Sequence, residues 1–282
     1  MFTTLTHDDA LALLERSDPI VLDVRTPGEH ARLGHIPGAW LLPVDLIAAA
    51  PAVLPDDGRP VLVYCEHGVR SVAAARVLVQ AGVGSVFNLG GGLAAWSGPR
   101  EFGDSPLRGP SAWLLQHAGH LPRRGRVLDV AAGRGRHALL LAGAGFDVRA
   151  VDRDAEALGF LDRTAARLGL RVECVVADLE TESPPGLGVA DAVLVFNYLH
   201  RPLMPAIREA VAPGGRLFYE TFTTAQAERG RPTNPGFLLE PGELPRLAAP
   251  LDVLAAWEGE RDGRCLSAVV ASRPAGEGAG DG

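Results

Sequence analysis

The sequence predicts a two-domain α/β protein with a parallel sheet in each half. Three observations carry that expectation. The chain has 282 residues, more than one average domain and too few for three. In both halves, short apolar runs of strand type alternate with segments of helical period. Between the halves, residues 99–110 are polar and broken by Gly and Pro, as a connection between independently packed units is. The expected division is a first domain over 1–98, a linker over 99–110 and a second domain over 111–273. The remaining residues, 274–282, form a tail too poor in apolar side chains to pack.

Along the first domain, Thr6-His7-Asp8-Asp9 reads as a helix cap, and Leu22-Asp23-Val24-Arg25 closes a first strand. Val61-Leu62-Val63-Tyr64 suits a buried parallel strand, and 71–80 is Ala/Val/Leu-rich with helical period. Between these two lies Cys65-Glu66-His67-Gly68-Val69-Arg70-Ser71, a short loop that places a lone cysteine at a helix N-terminus. Backbone N–H groups and the helix dipole favour an anion there, which lowers the thiol pKa, and the Arg70 guanidinium suits an oxyanion such as thiosulfate. The competing reading is a buried core cysteine.

The whole of 1–98 resembles the rhodanese-like sulfurtransferases. Matching segments, in the family's order, are 22–29, Gly34-His35-Ile36-Pro37-Gly38-Ala39, the Cys65 loop, and Leu89-Gly90-Gly91-Gly92-Leu93-Ala94-Ala95-Trp96. By that resemblance Cys65 becomes a persulfide, Arg70 holds the sulfur donor, and Asp23 and Arg25 support the site. Cysteine-dependent phosphatases of related shape carry the arginine further from the cysteine. Here four residues separate Cys65 from Arg70, and the tighter loop favours a sulfane sulfur over a phosphate. A phosphatase or arsenate reductase is the rival chemistry, and a persulfide or redox sensor without turnover is the rival role.

The second half opens with a helix over 111–119, followed by Arg126-Val127-Leu128-Asp129-Val130-Ala131-Ala132-Gly133-Arg134-Gly135-Arg136-His137. This reads as a strand, a glycine turn and a helix over 137–143. Glycines let backbone pass close to a ligand, and the helix start supplies N–H donors. A second strand, Asp147-Val148-Arg149-Ala150-Val151-Asp152, ends in an acid that can accept both ribose hydroxyls of a nucleoside. Gly133, Gly135 and Ala138 also satisfy G-x-G-x-x-G/A, the dinucleotide pattern, so an NAD-binding or flavin-binding oxidoreductase stands as an alternative. Two features oppose it: Asp129 sits where dinucleotide sites run apolar, and two further strand-like runs follow at 252–257 and 265–271.

With Ala177-Asp178-Leu179 after a third strand and 191–197 as a fourth, residues 111–273 resemble the class I S-adenosylmethionine-dependent methyltransferases, a doubly wound Rossmann-like fold with an antiparallel C-terminal strand. The resemblance implies S-adenosylmethionine as cofactor. Asp129 lies near its amino group, Gly133 and Gly135 pass beneath its methionine and ribose parts, Asp152 takes the ribose hydroxyls, Arg153 flanks the adenine, and Asp178 accepts from the adenine amino group. The leading helix usually covers that site in the family. A preactivated methyl group needs mainly an aligned acceptor, so recognition is expected on the loops after the fourth and fifth strands, at Tyr198, His200 and Glu220. Residues 229–239 lack periodicity and are rich in Pro and Gly, the signature of a lid or binding loop. That stretch resembles the substrate side of small-molecule methyltransferases of the tellurite-resistance type, which implies a small polar or thiol-like acceptor.

Composition narrows the partners. Net charge is −7, all 27 basic residues are arginine, and no basic stripe appears, so a nucleic-acid substrate is disfavoured and small-molecule donors and acceptors are expected. No leader-like or membrane-length apolar run occurs, and three cysteines without metal-type spacing fit a reducing compartment, so a cytoplasmic location is expected. Cys174 and Cys265 fall in strand-like runs and read as inert core residues. His35, in a Gly-His-Ile-Pro-Gly turn, reads as structural, and no metal site is expected. The fusion points to a shared pathway in which sulfur, or an analogous chalcogen, reaches an acceptor whose product is methylated.

Overall fold

The computed structural model describes residues 1–103, 109–181 and 186–275. The chain divides into two compact units: Met1–Gly119 with Leu139–Gly145, and His120–Ala138 with Phe146–Gly282. Among the described residues no helix is long and apolar enough to cross a membrane.

Five strands build the first unit: β1 (Thr3–Leu5), β2 (Ile20–Asp23), β3 (Trp40–Leu41), β4 (Val61–Tyr64) and β5 (Val86–Leu89). They lie in the order β1-β5-β4-β2-β3, every pair parallel. Strands β2 and β4 are buried at every residue, which is why both read as continuous apolar runs rather than alternating ones. The Thr6 hydroxyl caps the helix His7–Arg16 as its sequence predicts. The helix Val69–Gln80 buries Ala74, Ala75 and Leu78 and starts two residues earlier than its period suggested, because Gly68 at φ +85° ends the loop.

Residues 99–103, expected to open a linker, are tied to this unit. Glu101 and His35 exchange backbone hydrogen bonds, the Gly103 N–H donates to the Ala31 carbonyl, and Arg100 donates to the carbonyls of Leu93 and Trp96. The cause is backbone pairing with distant residues, joined by the Arg100 side chain, which a reading of Gly and Pro alone overlooks. The helix expected over 111–119 is shorter, Ala112–Gln116, and groups with the first unit, where it packs on the turn Val44–Ala49. The rest of the expected linker at 104–108, and 276–282 of the expected tail, lie outside the described residues.

Seven strands form the second sheet: β6 (Arg126–Val130), β7 (Asp147–Asp152), β8 (Val172–Val176), β9 (Ala190–Phe196), β10 (Val211–Phe222), β11 (Asp252–Arg261) and β12 (Arg264–Ser272). Their order is β11-β12-β10-β9-β6-β7-β8, parallel except that β12 runs antiparallel to both β10 and β11. The two terminal strands are longer than the apolar runs suggested, because Asp262-Gly263, both at positive φ, forms a two-residue hairpin turn. Strand order reverses between β6 and β9, and the crevice at the carboxyl ends of the strands beside such a reversal is where ligands bind in doubly wound sheets.

Candidate functional site

Two sites lie at carboxyl ends of parallel strands, one in each unit. In the first, Cys65 follows β4 and is buried, 1% exposed. Its Sγ accepts a hydrogen bond from the Gly68 N–H at 3.1 Å and lies 3.3 Å from the Ser71 hydroxyl. Burial works against the thiolate, but hydrogen bonds from Ser71, His67 and Gly68 outweigh it, and the thiol pKa is lowered below its ordinary value.

The Gly90-Gly91-Gly92 run explains how the loop keeps this conformation. Leu93 N–H donates to the Cys65 carbonyl at 2.8 Å and Ala94 N–H to the Glu66 carbonyl at 2.9 Å. A Cβ on Gly92, whose φ is +66°, would stand 2.5 Å from the Cys65 carbonyl oxygen and 2.6 Å from that of Glu66. The start of the turn Leu93–Ala95 thus holds the loop carbonyls, while loop amides are left for the sulfur.

Beneath the loop, Asp23 is fully buried and accepts from Arg25, the Tyr64 hydroxyl and His30 Nδ1. Burial raises its carboxyl, but the bonds from His30 and Arg25 prevail and hold it below the usual carboxylate range. Arg25 extends the network upward, donating from NH1 to Glu66 at 2.7 Å and from NH2 to the Gly34 carbonyl at 2.6 Å. Asp23 and Arg25 therefore brace the loop through Glu66, a contact that reading the sequence missed. Arg70 lies in electrostatic range of the Cys65 sulfur, but both terminal nitrogens of its guanidinium bond Glu29. His35 is buried, stacked on His30 at 3.8 Å.

In the second site, a cavity of about 550 Å³ is lined by the residues that follow four strands: Ala131 after β6, Asp152 and Arg153 at β7, Ala177 and Asp178 after β8, and Asn197 and Tyr198 after β9. Phe222, Arg231, Pro232 and Phe237 close another wall, so the loop over 229–239 covers the site as its composition suggested. Asp152 is fixed by the Gly133 N–H at 2.7 Å and the Asp154 N–H at 2.8 Å. Asp178 accepts from the Glu180 N–H, and Arg153 pairs with Glu180 at 3.7 Å. Ala131 and Asn197 both take positive φ, 55° and 57°, strain of a kind that collects at functional sites.

The two glycines of the turn differ. Beside Gly133 there is open space, whereas a Cβ on Gly135 would strike Leu161 at 2.3 Å. Gly135, at φ +74°, is thus favoured both by its left-handed backbone and by its packing against Leu161 of the helix Ala155–Arg167.

Asp129 is buried, its Oδ2 finds no hydrogen-bond partner among the described residues, and burial lifts its carboxyl to about 7. The Tyr198 hydroxyl is likewise buried without a hydrogen bond. Of the expected site residues, Asp152, Arg153, Asp178 and Tyr198 line the cavity, and Asp129, Gly133, Gly135, His200 and Glu220 are not among its lining residues. His200 precedes the turn Arg201–Leu203, and Glu220 is buried within β10, 3.6 Å from Arg261. Tyr219 is a core residue whose hydroxyl donates to the Tyr198 carbonyl. Arg201, unremarked in the sequence, bonds Glu243 and donates to the carbonyls of Gly236 and Leu238, anchoring the covering loop.

A family model described as a rhodanese-like domain matches residues 6–99, and one described as a methyltransferase domain matches 127–215. A sulfurtransferase of Allochromatium vinosum is 44% identical over 85 residues, 30% of this chain and 78% of that protein. The chain joins a rhodanese-like domain to a methyltransferase domain. The rhodanese-like domain is also 34% identical over 95 residues to the thiosulfate sulfurtransferase GlpE of Pseudoalteromonas translucida, covering 34% of this chain and 89% of that protein. TehB from Haemophilus influenzae, a solved structure, is 19% identical with a TM-score of 0.49, over 56% of this chain and 60% of that one.

The methyltransferase domain implies S-adenosylmethionine as its cofactor, and the residues present fit it. A buried orphan carboxylate oxygen on Asp129 suits an ammonium group, the cavity presents the carboxylates of Asp152 and Asp178, and Gly133, bonded through its N–H to Asp152, has open space beside its backbone.

Proposed function

We propose that the protein is a bifunctional enzyme: Cys65 accepts a sulfane sulfur as a persulfide, and the second site methylates a small thiol or chalcogen acceptor. The observation that supports sulfur transfer is the Cys65 sulfur held among loop amides with a lowered pKa, since the thiolate is the attacking species. The resulting Cys65–S–SH sulfur is in turn open to attack by an acceptor thiolate or cyanide, which regenerates the thiolate.

In the second site the observation is the unsatisfied Tyr198 hydroxyl in a cavity covered by Arg231 and Phe237. S-adenosylmethionine, when bound, supplies a methyl group already activated on a sulfonium. The protein's part is binding and alignment. Asp129 neutralises an ammonium, Asp152 accepts two hydroxyls, Arg153 and Asp178 hold a purine edge, and Tyr198 orients the acceptor. The covering loop keeps water out. Both partners are small molecules, in keeping with the acidic net charge.

Two measurements test this. Turnover of a sulfur donor to cyanide separates an enzyme from a persulfide sensor, which would load Cys65 once and stop. Metabolite mass spectrometry with methyl-labelled S-adenosylmethionine identifies the acceptor, and a labelled macromolecule in place of a small molecule would refute the second half of the proposal.

A further inference from the structure

The sulfur site holds a charge arrangement that its sequence does not suggest. The Arg70 guanidinium, which faces the Cys65 loop as its cation, is engaged at NH1 and NH2 by Glu29. Glu29 is itself pinned: its Oε2 accepts from the Thr26 N–H at 3.0 Å and the Thr26 hydroxyl at 2.8 Å in a capping box. Arg70 and these bonds keep its carboxyl ionised, with a pKa near 2. Arg25 is equally committed, to Asp23 and Glu66. Two guanidinium groups, Arg25 and Arg70, thus face three carboxylates, Asp23, Glu29 and Glu66. Neither guanidinium is without a carboxylate partner.

Thiosulfate brings two negative charges to such a site. Seating it requires Arg70 to leave a bidentate carboxylate, the stronger kind of charged hydrogen bonding, or the dianion to approach a compensated cation. The reacting end of a hydropersulfide, R–S–SH, carries no oxyanion and needs no free guanidinium there, since any carboxylates of R lie away from the sulfur that is transferred. We propose that Glu29 sets donor choice at Cys65: by holding Arg70 it turns the site away from dianionic thiosulfate and toward hydropersulfide donors. This rests on the sulfur-carrier reading above and names its substrate class. The Cys65 thiolate attacks the terminal sulfur of R–S–SH, the donor S–S bond breaks, and the new Cys65–S–SH bond forms. The electron pair leaves on R–S⁻, so no outside oxidant or reductant enters.

The test uses the full chain as wild type, Glu29→Gln and Glu29→Asp, with thiosulfate and glutathione persulfide as donors. It reads kcat and KM for each, together with the mass added at Cys65. The wild type is expected to favour glutathione persulfide by about tenfold or more in kcat/KM. Glu29→Gln keeps the capping box but removes the charge, and is expected to shift the thiosulfate-to-persulfide ratio toward thiosulfate by about tenfold, mainly through the thiosulfate KM. Glu29→Asp keeps the charge and should stay near the wild-type ratio. A ratio unmoved by Glu29→Gln, or moved equally by both variants, overturns the proposal. Wild-type salt dependence is a second measurement that needs no variant. A thiosulfate KM nearly flat in ionic strength supports a compensated site, and a KM rising steeply with salt, as for an open cation, overturns it. Absence of added sulfur on Cys65 with either donor removes the sulfur-carrier reading itself, a failure distinct from a loaded Cys65 that prefers thiosulfate.

Discussion

The Cys65 loop and the Asp129–Gly135 turn are built alike, each a buried parallel strand running through glycine into a helix, yet their polar groups are settled in opposite ways. Around Cys65, Asp23 has its donors, Arg25 and Arg70 have their acids, and the loop carbonyls have amides. Around the turn, a carboxylate oxygen of Asp129 and the hydroxyl of Tyr198 are buried without hydrogen bonds. Unsatisfied buried polar atoms cost free energy that a bound ligand restores. The loop around Cys65 thus has its hydrogen bonds made, with His30 Nε2 and His35 Nε2 left without one beneath it, whereas the second site leaves open two groups that a ligand can bond.

The strongest way to break this contrast is at the nucleophile. Cys65→Ala is expected to abolish sulfur uptake, with Cys174 and Cys265 remaining unlabelled in peptide mass spectra after donor treatment. Full turnover by that variant would mean the first site has no covalent step. Asp152→Ala comes next. It loses a charged acceptor and the brace on Gly133, and S-adenosylhomocysteine binding by calorimetry should weaken by about 1.5 to 3 kcal/mol. Tight NAD binding without any response to S-adenosylhomocysteine would reverse the cofactor assignment.

Gly92→Ala tests whether the first site is internally closed. Its Cβ meets two carbonyl oxygens at a φ foreign to L-residues, and thermal unfolding should show a loss of about 1 to 3 kcal/mol. Gly133→Ala, with open space around its Cβ, should cost less. The last test is the pH response of Asp129. Its carboxyl sits near 7 because burial disfavours the ionised form, so without ligand the folded state holds the proton that the unfolded state loses near pH 4. Stability from this group is therefore present at low pH and falls as pH rises from about 4 to 7. A cationic ligand group reverses the preference, so S-adenosylhomocysteine affinity should rise with pH up to about 7, by at most tenfold per pH unit. Asp129→Asn should flatten that profile, and an unchanged profile would place the ammonium elsewhere.

What could be read from the sequence follows from what is local. Val61–Tyr64 is a buried run of one type, Cys65 and Gly68 are close in the chain, and Asp152 ends its own strand, so periodicity and turn chemistry were enough. The parts that escaped are pairings between distant positions. Arg70 meets Glu29 and Arg25 meets Glu66 across 41 residues, and Arg201 meets Glu243 across 42. Loop position likewise put Glu220 on the acceptor side, but Arg261, two strands away across β12, holds it within the sheet. The Thr26-x-x-Glu29 capping box was a visible sign that a carboxylate is fixed in the helix that follows β2, beyond the same carboxyl end of the sheet as Cys65.

The bonds from Arg201 to Gly236 and Leu238 run to main-chain carbonyls rather than side chains. The wall over the cavity is therefore gripped without regard to which amino acids it displays. The clasp does not depend on the side chains of Arg231, Pro232 and Phe237, so under the proposed function acceptor range can drift, or be redesigned by swapping that segment as a cassette, without rebuilding the pocket floor.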